Sequence, residues 1–374
     1  MDRYSDLQFK VFDWLRFPLI VGVVFIHCFG KPFDYEAIDF AHLTGTDYYN
    51  LFRVSISQVL THVCVPAFYL ISGYLFYIGL EKWSWNNYLN KLKKRCKTLL
   101  VPFLIWNTIS IMLSLFSVIR HEGFAGIHPF FEEYGYWHLY WDCKQWNIDR
   151  TNLMGGANLS TSPYLIPLWF LRDLMIVCVC SPLLFFLFKY TRIVGVVLLT
   201  LCYTTGVFFS IPGCSIMAFM FFGIGGYCRI NKIDTTKVTY NLRYYIYIVA
   251  AVLWIVCTML NGHNTKTGDI VYPFYVIVGC MAIINIATCF VKCNIVRMPA
   301  ILSNSSFFIY LLHCNMVIGI ATTIVWRIFD KTNVVLLLFG YLLIPIITVF
   351  ICFAIYYLLN KYTPYLCKVL AGNR

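Results

Sequence analysis

Apolar residues in this chain come in long unbroken runs. They fall at about 11–31, 52–80, 98–119, 164–188, 193–211, 214–229, 244–260, 270–291, 304–326 and 334–359. A membrane-crossing helix needs about 20 predominantly apolar residues, so the pattern predicts about ten transmembrane helices. Strands are not expected, because the segments of a membrane barrel alternate in polarity and these runs are too long and too uniformly apolar. Helices also satisfy their own backbone hydrogen bonds, as lipid demands. The expected fold is all-α: a polytopic membrane helix bundle, one domain over 1–374, with no soluble appended domain.

Charge then orients the bundle. Cytoplasmic loops of membrane proteins collect Lys and Arg, and alternate loops here are strongly basic. Arg3 and Lys10 precede or open the first run, and Lys91, Lys93, Lys94, Arg95 and Lys97 follow the second. The same side later carries Lys189 and Arg192, then Arg229, Lys232, Lys237 and Arg243, then Lys292 and Arg297, and a tail with Lys361, Lys368 and Arg374. The opposite loops are poorer, with Lys144, Arg150 and Lys331. Both termini are therefore expected to be cytoplasmic, and the longest loop, about 120–163, outside. The first run is no cleavable leader: it contains Arg16 and His27, and Phe29-Gly30-Lys31-Pro32 is not a small-residue cleavage site.

Composition closes off other classes. Of 374 residues, 60% are hydrophobic and only 12% charged, whereas a soluble domain is near half apolar and a quarter charged. Aromatics at 18% exclude disorder. In a membrane chain a net charge of +12 reports topology before anything else, so membrane lipids are expected partners and nucleic acid is not. The sixteen cysteines, such as Cys178, Cys180, Cys280 and Cys289, are scattered through apolar runs. No two pairs have metal-ligand spacing, so they read as small buried hydrophobes, and no metal is expected. Cys143 alone lies in a long polar stretch.

Ionisable residues inside spans cost about 2.5–3.5 kcal/mol on insertion scales and point to function. Arg16 and His27 are eleven residues apart in the first run. At about 100° per residue they share one helix face, separated by about 16 Å along the axis. Asp13 lies one turn before Arg16 on the same stripe. The face thus carries a carboxylate, a guanidinium near the cytoplasmic surface and an imidazole deep in the membrane. Arg can fork onto phosphate, and His can take and return a proton near neutral pH. The plain alternative is that Arg16 snorkels to the headgroups and His27 bonds a neighbouring helix.

Further polar points read both ways. Ser72-Gly73 interrupts the second run, as a site or as a packing notch. Arg172 and Asp173 lie in the fourth run; neighbours on a helix point about 100° apart, so each is expected to need a partner other than the other. His313 and His62 are buried-histidine candidates. The Lys91–Lys97 cluster is an anchor by default and a phosphate site if it faces a ligand.

Taken in order, these segments resemble the acyltransferase family 3 membrane proteins. The resemblance rests on Phe12-Asp13-Trp14-Leu15-Arg16 followed by His27, an Arg-x10-His pattern, and on Val65-Pro66-Ala67-Phe68-Tyr69-Leu70-Ile71-Ser72-Gly73-Tyr74. It continues through Lys94-Arg95-Cys96-Lys97-Thr98-Leu99-Leu100-Val101-Pro102-Phe103, Leu168-Trp169-Phe170-Leu171-Arg172-Asp173, and Ser303 through His313. It runs over essentially the whole chain. It implies transfer of an acyl group, usually acetyl, from cytoplasmic acetyl-CoA or another acyl-CoA as co-substrate, with no metal. The implied acceptor is a hydroxyl on a cell-surface glycan or its lipid-linked precursor, and the implied location is a bacterial plasma or inner membrane. Carried over by position, His27 is the catalytic candidate with Arg16 and Asp13 beside it. Arg16, Arg95 and Lys97 fall on the donor side, while Ser72, Gly73, Trp169, Arg172, Asp173 and His313 are further candidates. Where the family pattern often has a second arginine, this chain has Lys97, a point charge instead of a fork.

The favoured mechanism has His27 deprotonate the acceptor hydroxyl for attack on the thioester; a transient acyl-imidazole is the second. Residues 120–163, rich in Trp and Tyr, supply either sugar-stacking faces or an interfacial belt. A transporter or flippase is the rival class, but no two similar halves of the kind transporters show are visible. An acyltransferase acting on a small molecule or amino acid is the other alternative.

Overall fold

The apolar runs fold as helix almost throughout the computed structural model, which describes residues 3–372 apart from 32, 152–156, 208–210 and 263–264. In chain order the helices are α1 (Arg3–His27), α2 (Gly45–Arg53), α3 (Cys64–Phe76), α4 (Trp85–Arg95), α5 (Val101–Glu122) and α6 (Ile127–Tyr134). After a two-stranded hairpin come α7 (Trp169–Val179), α8 (Ser181–Thr191), α9 (Ile193–Thr205), α10 (Ile216–Ile230), α11 (Thr235–Asn241) and α12 (Arg243–Met259). The last are α13 (Lys266–Lys292), α14 (Ala300–Leu312), α15 (Ile318–Ile328), α16 (Val334–Tyr362) and α17 (Pro364–Leu370). Wider π turns at Val54–Val59, Cys96–Leu100 and His313–Val317 interrupt the helical path.

Among the described residues, five helical stretches are long and apolar enough to cross a membrane, seven if each bent pair counts as one span. The expectation was about ten. With the two bent pairs counted, the three runs left over are those of α1, which is not among these stretches, and of the short α9 and α10. The chain bends by 56° between α7 and α8 and by 80° between α11 and α12. Pro182 stands at the start of α8, where its missing N–H and fixed φ suit a first turn and cannot continue the preceding helix. Helices α9 and α10 are apolar but short, at 13 and 15 residues.

Strand content departs from the sequence reading. Strands β1 (Lys144–Thr151) and β2 (Ala157–Ser162) pair antiparallel, with Lys144 opposite Ser162 and Thr151 opposite Ala157. The argument against strands rested on the uniform apolar runs and does not reach this polar stretch of the 120–163 loop. The same loop also holds α6, and its Phe130 and Leu139 form a small core with Ile111 of α5.

By internal packing the chain divides into two compact units. One comprises Met1–Ile71 with Asn231–Ile355, the other Ser72–Ile230 with Tyr356–Arg374. In the first, α1 buries Val11, Phe12, Leu15, Leu19, Ile20, Val23 and Val24, one stripe at helical spacing, and packs on α13 and α14. Trp14 stacks on Phe290 at 5.4 Å and donates to the Val296 carbonyl at 3.1 Å. The buried Gln8 amide donates to Thr235 Oγ1 at 2.9 Å. In the second unit the fully buried Asn107 acts as a clamp. Its Nδ2 donates to the Leu139 carbonyl at 2.9 Å and its Oδ1 accepts from the Leu165 amide at 3.0 Å, which ties α5 to the middle of the outer loop and to the segment just past its end. Trp106 on the same helix donates to the Leu370 carbonyl at 3.1 Å. No disulfide joins any of the sixteen cysteines, and half of them are buried.

Candidate functional site

Two histidines from opposite ends of the chain meet in the first unit. His27 is the last residue of α1 and is half-buried. His313 follows α14 and is fully buried. Their ring centroids are 5.2 Å apart, with the planes inclined at 53°. His313 Nδ1 lies 3.1 Å from the Ile309 carbonyl oxygen, one turn back. A carbonyl can only accept, so Nδ1 carries the proton and Nε2 keeps its lone pair. That Nε2 is buried and has no hydrogen-bond partner among the described residues. Leaving such an acceptor bare costs about 1–3 kcal/mol. Tyr310 stands beside the pair, 6.2 Å from the His313 ring.

The backbone at this point is irregular. At His313–Val317 the α14 path widens into a π turn, with Asn315 at φ −80°, ψ 83° and Met316 at φ 65°, ψ −23°. A positive φ on methionine is strained, and such strain collects at functional sites. The buried Asn315 donates to the Leu311 carbonyl at 3.3 Å. Past His27, the loop turns at Gly30, whose φ of +86° favours glycine. Arg53 holds this turn. Its Nη1 donates to the carbonyls of Phe29 at 2.9 Å and Lys31 at 2.7 Å, its Nε donates to Asn50 Oδ1 at 3.1 Å, and Phe29 and Phe33 lie under its guanidinium.

Sequence reading passed over Arg53 and Cys314. Arg53 opens the second apolar run, so it looked like a boundary charge; its signal was an arginine one residue inside that run. Cys314 looked like one more buried thiol. A ring nitrogen from each histidine and Cys314 Sγ lie within 4.8 Å of one another, a donor set of the type that takes zinc or copper. Zn–N and Zn–S bonds of about 2.0–2.3 Å set tetrahedral edges of about 3.3–3.7 Å, so such an ion would have to draw the three groups together.

The other first-unit candidates gather lower on α1. Arg16 Nη1 pairs with Asp13 Oδ1 at 3.0 Å, and the side chains are 38% and 57% exposed. Ser303 Oγ donates toward both the Asp13 carbonyl and Oδ1, each at 3.0 Å. Asp13 and Arg16 do meet one turn apart, and part of the Arg16 fork is occupied by that carboxylate.

The remaining candidates belong to the second unit. Helix α4, capped by Ser84, ends in Lys93, Lys94 and Arg95, and Lys97 lies in the π turn that follows. Arg95 is half-buried and Lys97 exposed. Lys91 and Arg95 each stand 5.9 Å from the Phe76 ring. Neither Arg95 nor Lys97 has a carboxylate partner among the described residues. Ser72 is half-buried. Gly73 meets the Phe222 carbonyl where any Cβ would sit, so this pair reads as the packing notch. Trp169, half-buried, opens α7.

One expectation is overturned here. Arg172 and Asp173 do pair, Nε to Oδ1 at 2.9 Å, both buried. The 100° between adjacent helical positions separates Cβ directions, but an arginine is long enough to fold back. The rest of its fork donates to the Trp141 carbonyl at 2.6 Å, Thr161 Oγ1 at 3.1 Å and the Thr161 carbonyl at 3.0 Å. The pair fastens the outer loop to α7.

Comparison with known proteins bears on this arrangement. Residues 9–357 match the family model described as an acyltransferase domain. The chain is also similar to the succinoglycan biosynthesis protein ExoH of Rhizobium meliloti (strain 1021), 26% identical over 375 aligned positions that cover 96% of this chain and 91% of that protein. No solved structure matches.

Proposed function

We propose that this chain, which belongs to that acyltransferase family and is an acyltransferase, esterifies hydroxyls of a surface polysaccharide or of its lipid-linked precursor. The similarity to a protein of succinoglycan biosynthesis supports a polysaccharide acceptor. The donor in this reading is a cytoplasmic acyl-CoA, with acetyl the simplest acyl group. The enzyme is a bundle of about ten spans with both termini in the cytoplasm of a bacterial cell, an orientation supported by the alternation of basic loops. Labelling of a cysteine placed at Lys94 by an impermeant reagent from outside would reverse it.

The observation that carries the chemical reading is the half-buried His27 imidazole facing the buried His313 imidazole at 5.2 Å. His27 forms no hydrogen bond to another described residue, so one ring nitrogen is free to meet a hydroxyl. In the proposed step His27 takes the acceptor proton as the oxygen attacks the thioester carbonyl. The carbon–sulfur bond then breaks, and the thiolate leaves with its electron pair and collects the proton. Arg95 and Lys97, which have no carboxylate partner among the described residues, hold the donor's phosphates.

The test is His27→Ala in the cell and in purified protein. Surface glycan should lose its ester-linked acyl groups by mass spectrometry, and turnover should fall about 10²–10⁴-fold, the worth of a positioned acid–base group. A correctly inserted variant that keeps a tenth of wild-type turnover removes His27 from the chemistry.

A further inference from the structure

The geometry points to His313 as the positioning residue for His27: its buried Nε2 lone pair receives the N–H of the His27 ring, and so fixes which nitrogen of His27 faces the acceptor. This rests on His27 being the proton acceptor. Three features of the His313 ring carry it. Its Nδ1 proton is committed to the Ile309 carbonyl at 3.1 Å, so it can present only an acceptor. That acceptor is fully buried and has no partner among the described residues, an arrangement whose cost is recovered when a donor arrives. The ring faces His27, and the ligating atoms of the pair lie within 4.8 Å. That span exceeds a direct hydrogen bond; one water bridges it, or a small ring rotation closes it when substrate enters.

The consequence is a relay without a carboxylate. With its N–H directed at His313, the other His27 nitrogen bears a lone pair. When the acceptor O–H bond breaks, its proton goes to that nitrogen as the oxygen bonds to the acyl carbon. The resulting imidazolium shares its charge with the His313 lone pair through the hydrogen bond, as an oriented third group does in a nucleophile–base triad. The C–S bond then breaks, its electron pair leaves on the thiolate, and His27 gives the thiolate the proton. Both histidines end as they began. The π turn serves this geometry: His313 stands where the regular helix ends, with its Nδ1 still bonded one turn back and its ring turned to α1.

Two substitutions separate this role from packing. His313→Asn keeps a donor near Nδ1 for the Ile309 carbonyl and removes the acceptor; His313→Gln places a carbonyl oxygen near Nε2. The expected result is a kcat at least 100-fold lower for Asn with KM for acyl-CoA unchanged within about twofold, and a Gln variant at least tenfold faster than Asn. A purely structural role would lower thermal stability and leave no such ordering. Equal rates for the two variants, or an Asn variant above half of wild type, would overturn the inference. If Asn does not fold, a folded Gln variant as inactive as His27→Ala does the same. Activity lost to a chelator and restored by Zn²⁺ also overturns it, since the lone pair would then belong to a metal. Failure of the underlying reading is distinct: it shows as an active His27→Ala enzyme, whereas an inactive His27→Ala beside a near-wild-type His313→Asn rejects only the role of His313.

Discussion

Replacing Arg95 and Lys97 together by Gln separates a donor site from a topological anchor. The size of the effect follows from how each side chain is set. Arg95 is half-buried with Phe76 near its guanidinium, and no carboxylate among the described residues competes for it. A hydrogen bond to a charged group is worth about 1.5–3 kcal/mol, which corresponds to about 10- to 150-fold in affinity. Lys97 is exposed, and an exposed charge is screened and pays side-chain entropy, so about 1.5- to 5-fold is its share. The pair should therefore raise the apparent KM for acyl-CoA by at least tenfold at low salt. The rise should shrink on going from 0.15 to 1 M salt, as the Debye length falls from about 8 to 3 Å. The assay is initial-rate kinetics of purified enzyme in lipid nanodiscs, with acyl-CoA and an acyl-pantetheine thioester as donors. The pantetheine thioester lacks the nucleotide phosphates, so its KM should barely move. An equal rise for both donors and for the acceptor would mean a distorted bundle. An unchanged KM in correctly inserted protein would leave the cluster as an anchor and refute the donor reading.

Arg16→Lys should weaken donor binding less than loss of Arg95, because Asp13 already holds one of its nitrogens at 3.0 Å; an isothermal titration with a non-reactive CoA analogue that shows no change would make Arg16 a structural partner of Asp13 and Ser303. Arg172→Met should cost about 3–5 kcal/mol of stability by leaving the buried Asp173 carboxylate uncompensated, and Arg172→Met with Asp173→Leu should recover most of it. Thermal unfolding in detergent checks this, and a single variant as stable as wild type would show that the pair holds nothing.

The sequence shows the helical class and the polar face of α1 directly. Long apolar runs admit little but helix in lipid, and helical spacing alone puts Arg16 and His27 on one face, because eleven residues make just over three turns. The hairpin at 144–162 was not legible, since the apolar runs say nothing about a polar loop. The Arg172–Asp173 pair was read from Cβ directions alone, and side-chain reach decided it. His313 was visible only as a buried polar residue. Its proximity to His27 depends on a long-range packing of α1 against α14 that no local pattern encodes, and its orientation depends on a π turn that has no apolar period of its own.

The way the chain is distributed between the two units bears on the choice between transferase and transporter. Transporters of the inverted- or parallel-repeat type place two successive, similar halves around a central site. Here the first unit takes the chain up to Ile71 and again from Asn231, and the intervening stretch to Ile230 belongs to the second. The division is thus interleaved, not a split into successive halves. Its polar contacts follow the same logic: Asp13 with Ser303, Trp14 with Val296, and His27 beside His313 each join the first helix to residues nearly 300 positions later. A site assembled this way brings two imidazoles with fixed roles to one place within a single compact unit. That arrangement suits one chemical step on a held substrate.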